Sequence, residues 1–374
     1  HNVQNLDRLS LGLTHNGRWE HFDSRARYYF EQIDLMDDSQ LNGGAADITQ
    51  TNNTVDGQIS GYLGDHLLTS GAELRKTELE HSRNIANGSV DATQSAVYLQ
   101  DEFGFGDLAL TLSGRLDHHE TYGTEFSPRA YALYTLTDEW VIKGGAGKAF
   151  KAPTLAQSSE GFSTTACRGA CQVIGNPDLK PETAVSYELG TAYEAARFGA
   201  GVTGFHNEIE DLIQSDQWGP GYRPTVMTYL NVKEARIKGL ELTGWVDVLD
   251  NVKLTGNFTL LDSEDRSTGD DLAKTPDHTG NLGLDWQASE LVSANLAWQY
   301  VGSQVIKVPA RNSQAFTSKH YQTLDVNTNW TVTPALNFKL GITNLTNTQR
   351  DEVATDADFI LEGRTVYAGV DYKL

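Results

Sequence analysis

The chain has no run of about 18 apolar residues, so it holds no transmembrane helix. That absence leaves a membrane barrel open, because a barrel strand needs only about 9–11 residues with every second one apolar. Such a protein is polar on average, and the mean hydropathy here is negative. Basic residues are scarce: 29 Lys and Arg stand against 50 Asp and Glu, a net charge of −21. Phosphate contacts need a basic face, so nucleic acid is excluded as a partner. Cysteine and methionine are reduced to two each. His1 is followed by neither a charged n-region nor an apolar h-region, so no signal peptide is expected within this sequence. A blade repeat of about 40–50 residues is missing, which argues against a propeller and the soluble β-rich enzyme it would imply.

What the chain does contain is a period of two. Leu108, Leu110, Leu112, Gly114 and Leu116 share one face, and Ala109, Thr111, Ser113 and Arg115 the other. Val252, Leu254, Gly256, Phe258 and Leu260 alternate with Lys253, Thr255, Asn257 and Thr259. Val292–Tyr300, Leu324–Val332 and Val366–Leu374 repeat the pattern. These stretches exceed the usual strand length of about 5–6 residues. Lys253, Lys339, Glu188 and Glu241 fall on the polar face, which is too hydrophilic for a sandwich core and calls for a wet interior. Connections alternate between tight turns and polar loops. The turns are expected at Asn16-Gly17, Gly104–Asp107, Thr137–Glu139, Ala195-Ala196, Leu249-Asp250, Ala288–Glu290 and Thr333-Pro334, and the loops near 33–51, 79–91, 151–180, 215–226, 264–275, 307–319 and 347–358.

The expected fold is therefore all-β: a transmembrane antiparallel β-barrel, one domain over residues 1–374, with about 17 strands. The C-terminus falls on the short-turn side. Tracing back, the first strand, about Leu6–Thr14, starts on the long-loop side. An even-stranded barrel starts on the short-turn side, so an odd number of N-terminal strands is expected to be missing.

Four segments resemble TonB-dependent receptors. They are Ala149–Leu155; Gly175-Asn176-Pro177-Asp178-Leu179-Lys180-Pro181-Glu182-Thr183 with Tyr187–Gly190; Tyr229–Val232 leading to Ile237–Glu241; and Asn344–Asn347 with Gly363-Arg364. Asp117-His118-His119, Tyr122-Gly123, Ser127–Tyr131, Lys143–Gly145, Thr275–Thr279, and Cys167 and Cys171 resemble more narrowly the ferric catecholate branch of that family, which contains the ferric-enterobactin and colicin I receptors. The resemblance implies a bacterial outer-membrane receptor for catecholate siderophores such as enterobactin, and no enzyme. It implies a barrel of about 22 strands, of which about five would be missing here together with the plug and the TonB box. The implied partners are a ferric siderophore as transported ligand, the TonB complex, and outer-membrane lipid with lipopolysaccharide. Colicins and phage remain open as further partners. No bound cofactor or metal is implied. Haem, cobalamin or another siderophore is the alternative cargo.

Cys167 and Cys171 are expected to pair as a disulfide, which suits an oxidising exterior; a metal pair is the other reading. His118 and His119 are adjacent, so they face opposite sides of a strand and form no joint metal face. The acidic groups Asp34, Asp37, Asp38 and Asp262, Glu264, Asp265 match no EF-hand loop and read as solvated loops. Phe150–Leu155 and Gly175–Glu182 read as positioning the outer loop against the barrel rim. A ferric catecholate is anionic and carries flat rings, so its site should offer cations, aromatic faces and N–H donors. The candidates are Arg168 with Gly169, the group Trp218, Tyr222 and Arg223, the group Lys307, Arg311 and Lys319, and Gly43-Gly44, where a loop backbone could approach closely.

Overall fold

A computed structural model describes residues 3–39, 44–82, 85, 88–166, 171–216, 226–307, 316–349, 353 and 361–373. Among the described residues are 21 β-strands and the helical turn α1. Strands β1 to β8 are Val3–Arg18, Asp23–Ser39, Gly44–Leu63, His66–His81, Ser89–Phe105, Leu108–His119, Gly123–Thr137 and Trp140–Lys151. Next come α1 (Leu155–Ser158), β9 (Ser163–Ala166) and β10 (Cys171–Ile174). Strands β11 to β16 are Glu182–Glu194, Phe198–Asp216, Val226–Leu249, Val252–Asp265, His278–Gln287 and Val292–Val301. The last are β17 (Gln304–Lys307), β18 (Phe316–Ser318), β19 (Tyr321–Thr333), β20 (Leu336–Thr343) and β21 (Thr365–Tyr372). Setting aside the four strands of three or four residues (β9, β10, β17 and β18) leaves 17 long ones, as the alternation predicts.

The chain divides into two compact units, His1–Tyr134 with Gly144–Tyr187 and Asn207–Ala235, and Thr135–Lys143 with Glu188–His206 and Arg236–Leu374. In the first unit β1 to β7 pair consecutively and antiparallel. Residues directly opposite each other share a face, so register decides what each face carries. Leu13, Tyr28, Val55 and Leu74 form one cross-strand row, and Val97, Leu116 and Phe126 another. The reverse face carries the row Thr14, Arg27, Asp56, Glu73, Ala96, Asp117 and Glu125.

The second unit repeats this design in β14, β15, β16, β19, β20 and β21. Leu254, Leu284, Leu296, Val326, Ile342 and Val366 lie in one apolar row. Shifted by one residue, Lys253, Asp285, Asn295, Asn327, Gly341 and Tyr367 lie in a polar row. The apolar rows are not packed into a dry core: Leu13 is 71%, Leu282 50% and Trp330 53% exposed. A water-soluble β-protein would bury them, so the soluble-enzyme alternative fails. Large exposed rings of the apolar face gather beside the short turns, with Trp19 and Phe105 in the first unit and Trp286 and Trp330 in the second, as in an interfacial belt.

Three expectations need correction, one of them the solvated-loop reading of Asp34, Asp37, Asp38, Asp262, Glu264 and Asp265, all of which lie in β2 or β14. Asn16 and Gly17 are ladder residues of β1, opposite Arg25 and Ser24, not a turn. The chain reverses later, where the Trp19 N–H donates to the Phe22 carbonyl at 2.9 Å and the two rings stack. The supposed loop at 33–51 is mostly strand: β2 and β3 stay paired from Asp23 opposite Ser60 to Ser39 opposite Gly44. Asp34 is thus a strand residue, accepting from Thr49 Oγ1 at 2.7 Å and Gln32 Nε2 at 2.8 Å. Its Thr, Asn and Gln neighbours suit a strand in water as well as a loop, so polarity alone misplaced the boundary.

If the apolar face meets lipid, Leu284→Lys in the full-length receptor should cost about 2–4 kcal/mol of stability in bilayers. Asn295→Lys, on the polar face one strand away, should cost little. Denaturant titration of refolding into lipid vesicles measures both; equal losses would refute the assignment of faces.

Candidate functional site

The long connection from β8 to β11 is held by the family-like segments. Thr154 caps α1 through its hydroxyl, which accepts from the Gln157 N–H at 3.2 Å, while Gln157 Oε1 accepts from the Thr154 N–H at 2.9 Å. This reciprocal box fixes the entry of the loop. Asn176 donates from its side chain to the Tyr229 carbonyl at 2.8 Å, and its own N–H donates to the Gln157 carbonyl. Asn231 accepts from the Lys180 N–H at 2.9 Å and donates to the carbonyls of Lys180 and Asp211. Asp211 is held there at a φ of 54°. Glu182, nearly buried, accepts from Lys151 Nζ at 3.1 Å and from the Ile213 N–H at 2.9 Å. β10 adds a parallel pairing to β13, Gln172–Ile174 beside Val226–Thr228. The motifs therefore form one clasp that ties the loop to β12 and β13, the positioning role read from the sequence.

Under this clasp the loop carries a small apolar core. Leu79, Ile85 and Phe162 are buried together, with Ile48, Val90, Leu155 and Ala156 against them. His118 and His119 end β6 and point apart, one exposed beside Thr124 and one buried beside Tyr122. In the second unit, Asn344 plays the clasp's part. It is 5% exposed, sits at a φ of 48°, and donates from Nδ2 to the carbonyls of Thr348 and Glu362 at 2.9 and 2.8 Å. Its N–H donates to Asp325 Oδ1 at 2.7 Å.

The polar face of the first unit is a network of charges that satisfy one another. Arg8 pairs with Glu31, Arg27 with Asp56 at 2.9 Å, and Arg115 with Asp117 at 3.0 Å and Glu73 at 3.5 Å. Arg25 and Tyr98 both donate to Gln58 Oε1, at 2.8 and 3.3 Å. The Tyr98 ring occupies the space a side chain at Gly71 would need: a Cβ there would lie 2.4 Å from its hydroxyl. The second unit instead carries an amide ladder, Asn281 to Asn257, Asn295 to Asp285 and Asn327 to Asn295. Beside it lies an open recess of about 920 Å³ lined by Asp247, Lys253, Asn329, Asn337, Lys339 and Asp371 among others.

Most predicted ligand residues fall elsewhere. Gly43, Cys167, Arg168, Gly169, Trp218, Tyr222, Arg223 and Arg311 lie outside the described residues. Cys171 and Lys307 are described in backbone only, in β10 and β17. Gly44 pairs with Ser39 at the end of the β2–β3 hairpin rather than lying in a loop. Lys319 is exposed, and its N–H donates to the Val353 carbonyl at 2.8 Å. The sequence reading did not single out Arg25, Gln58 or Tyr98; their shared parity on β2, β3 and β5 was the available signal.

This constellation, with two-faced strands, self-neutralised polar faces and clasped long loops, is that of a receptor barrel. The family model "TonB dependent receptor-like, beta-barrel" matches residues 1–345, and the chain belongs to that family. It is 27% identical over 386 residues to the iron-regulated outer membrane virulence protein of Vibrio cholerae, covering 97% of this chain and 57% of that protein. It is 29% identical over 376 residues to the ferrienterobactin receptor of Escherichia coli, covering 90% of this chain and 49% of that one. A mutant of the ferric enterobactin receptor PfeA of Pseudomonas aeruginosa, solved in complex with enterobactin, is similar with a TM-score of 0.84 at 25% identity, over 99% of this chain and 62% of its own. The chain spans about half the length of the curated relatives it matches.

Asn231→Ala removes three hydrogen bonds of the clasp, each worth about 1 kcal/mol net. In the full-length receptor it should expose residues 152–181 to limited proteolysis, whereas Asn257→Ala on the amide ladder should not. Identical cleavage of the two variants would show that the clasp does not hold the loop.

Proposed function

We propose that the receptor containing this chain imports ferric catecholate siderophores, such as ferric enterobactin, across the bacterial outer membrane at the expense of energy delivered by TonB. Membership of the TonB-dependent receptor family carries this reading, and relatives named for enterobactin and iron give it its cargo. The electrostatics divide the labour. In a barrel of this family the polar face would line an aqueous interior. Arg8, Arg27 and Arg115 there are already neutralised by carboxylates, so these cations of the wall are not free to trap an anionic cargo. Capture then falls to the long loops, where Arg168 beside Gly169, the Trp218, Tyr222 and Arg223 group, and Lys307, Arg311 and Lys319 would supply cations and rings. A disulfide between Cys167 and Cys171 would stiffen the loop that presents Arg168. Transport breaks no bond, so the reading assigns no catalytic residue.

Equilibrium binding to the full-length receptor tests the cargo. Ferric enterobactin should bind and should not be displaced by haem, cobalamin or a hydroxamate siderophore. Displacement by one of these at lower concentration would reassign the cargo within the family. Arg168→Glu should weaken ferric enterobactin about tenfold or more, ~1.4 kcal/mol, while heat-modifiable gel mobility stays that of a folded barrel. Unchanged affinity would remove Arg168 from the site.

A further inference from the structure

The polar face of the first unit changes sign along its strands. One cross-strand row carries Asp56, Glu73, Asp117 and Glu125 against Arg27. The next row toward the short turns carries Arg25, Gln58, Tyr98 and Arg115 and no carboxylate. The row after that carries Arg18 and Arg129 and one carboxylate, Asp23. Across these two rows four arginines thus meet Asp23 alone, in a chain whose net charge is −21. Arg115 reaches back to Asp117 and Glu73 in the acidic row. Arg8, Arg27 and Arg75 on the same face also pair with carboxylates. Arg25 does not. Among the described residues its guanidinium donates to one neutral acceptor, Gln58 Oε1 at 2.8 Å, which the Tyr98 hydroxyl shares at 3.3 Å. Its Nε is buried and has no hydrogen-bond partner.

A half-buried guanidinium with no counter-charge and an orphaned donor is costly. A neutral donor would serve Gln58 without that cost. The arrangement suits an anion that visits, because guanidinium groups form charge-assisted hydrogen bonds to oxyanions. An acidic chain repels anions unless cations are concentrated locally, and these two rows are such a place. We propose that Arg25, held by Gln58 and Tyr98 within this arginine band, is an inner oxyanion-binding station that takes the catecholate oxygens of the ferric cargo after the long loops release it. The inference rests on the uptake reading above and deepens it: the loops capture, and the polar face near the short turns provides a second stop. A carboxylate from another part of the receptor would offer Arg25 the same chemistry, and the test separates the two sources.

The test uses the full-length receptor in energised cells with radiolabelled ferric enterobactin, measuring binding and uptake separately. Arg25→Gln should leave binding at the cell surface unchanged and slow TonB-dependent uptake about fivefold or more. Arg25→Lys, which keeps the charge, should restore most of the rate. Arg75→Gln, on the same face but beyond the acidic row, should import like wild type. The thermal unfolding midpoint of the purified, ligand-free receptor distinguishes the sources of the anion. Removing a cation that waits for cargo should not lower it, whereas removing the partner of a resident carboxylate should. Uptake at the wild-type rate in Arg25→Gln, an equal loss in Arg25→Lys or Arg75→Gln, binding that falls in step with uptake, or a lowered midpoint in Arg25→Gln would each overturn the proposal. A wild-type receptor that neither binds nor imports ferric enterobactin would instead refute the underlying reading.

Discussion

A backbone in hydrocarbon has no water to bond, so every N–H and C=O must find its partner along the sheet. That constraint fixes the rest of this structure. It requires long ladders, and β1 to β7, and β14, β15, β16, β19, β20 and β21, supply them. Once the backbone is committed, only side chains remain to reconcile two media. Leu254, Leu284, Leu296, Val326, Ile342 and Val366 answer one, and their immediate neighbours Lys253, Asp285, Asn295 and Asn327 the other. A slip of one residue in any strand would carry charges into the apolar row.

The same economy shapes the polar faces. In the first unit opposite charges meet across strands, and in the second asparagine amides donate to one another. Both arrangements satisfy the side chains without a packed core, which a single-layer sheet cannot offer. Apolar packing appears where a loop folds back, at Leu79, Ile85 and Phe162. Asparagine does the corresponding work in the clasps, because its side chain both donates to and accepts from backbone groups. Asn231 spans two segments in this way, and Asn344 accepts a left-handed backbone while doing so.

The strands were legible because a two-residue period survives in sequence whatever lies across the sheet. Six of the seven expected tight turns sit where the strands end. The seventh failed because Asn16-Gly17 is a turn signal that the ladder overrode: the opposing Arg25 and Ser24 keep it extended. The loop at 33–51 failed for a related reason, since Asp34, Asp37, Asp38, Asp47 and Gln50 read as loop when only apolar alternation is counted. The clasps were visible as motifs but not as contacts. The Arg25–Gln58–Tyr98 relay was invisible, because it joins three strands through register, with Gln58 33 residues from Arg25 and 40 from Tyr98. Ligand residues such as Arg168 were legible only as chemistry, because loop side chains follow no period that would fix their placement.

The most direct test of the two-faced strand is a nitroxide scan along β6 in the full-length receptor reconstituted in lipid vesicles. Labels at 110, 112 and 116 should collide with dissolved oxygen and be shielded from a polar nickel chelate. Labels at 109, 111 and 113 should show the reverse, giving a two-residue oscillation along the strand. A flat profile, or equal protection at all six positions, would contradict the account.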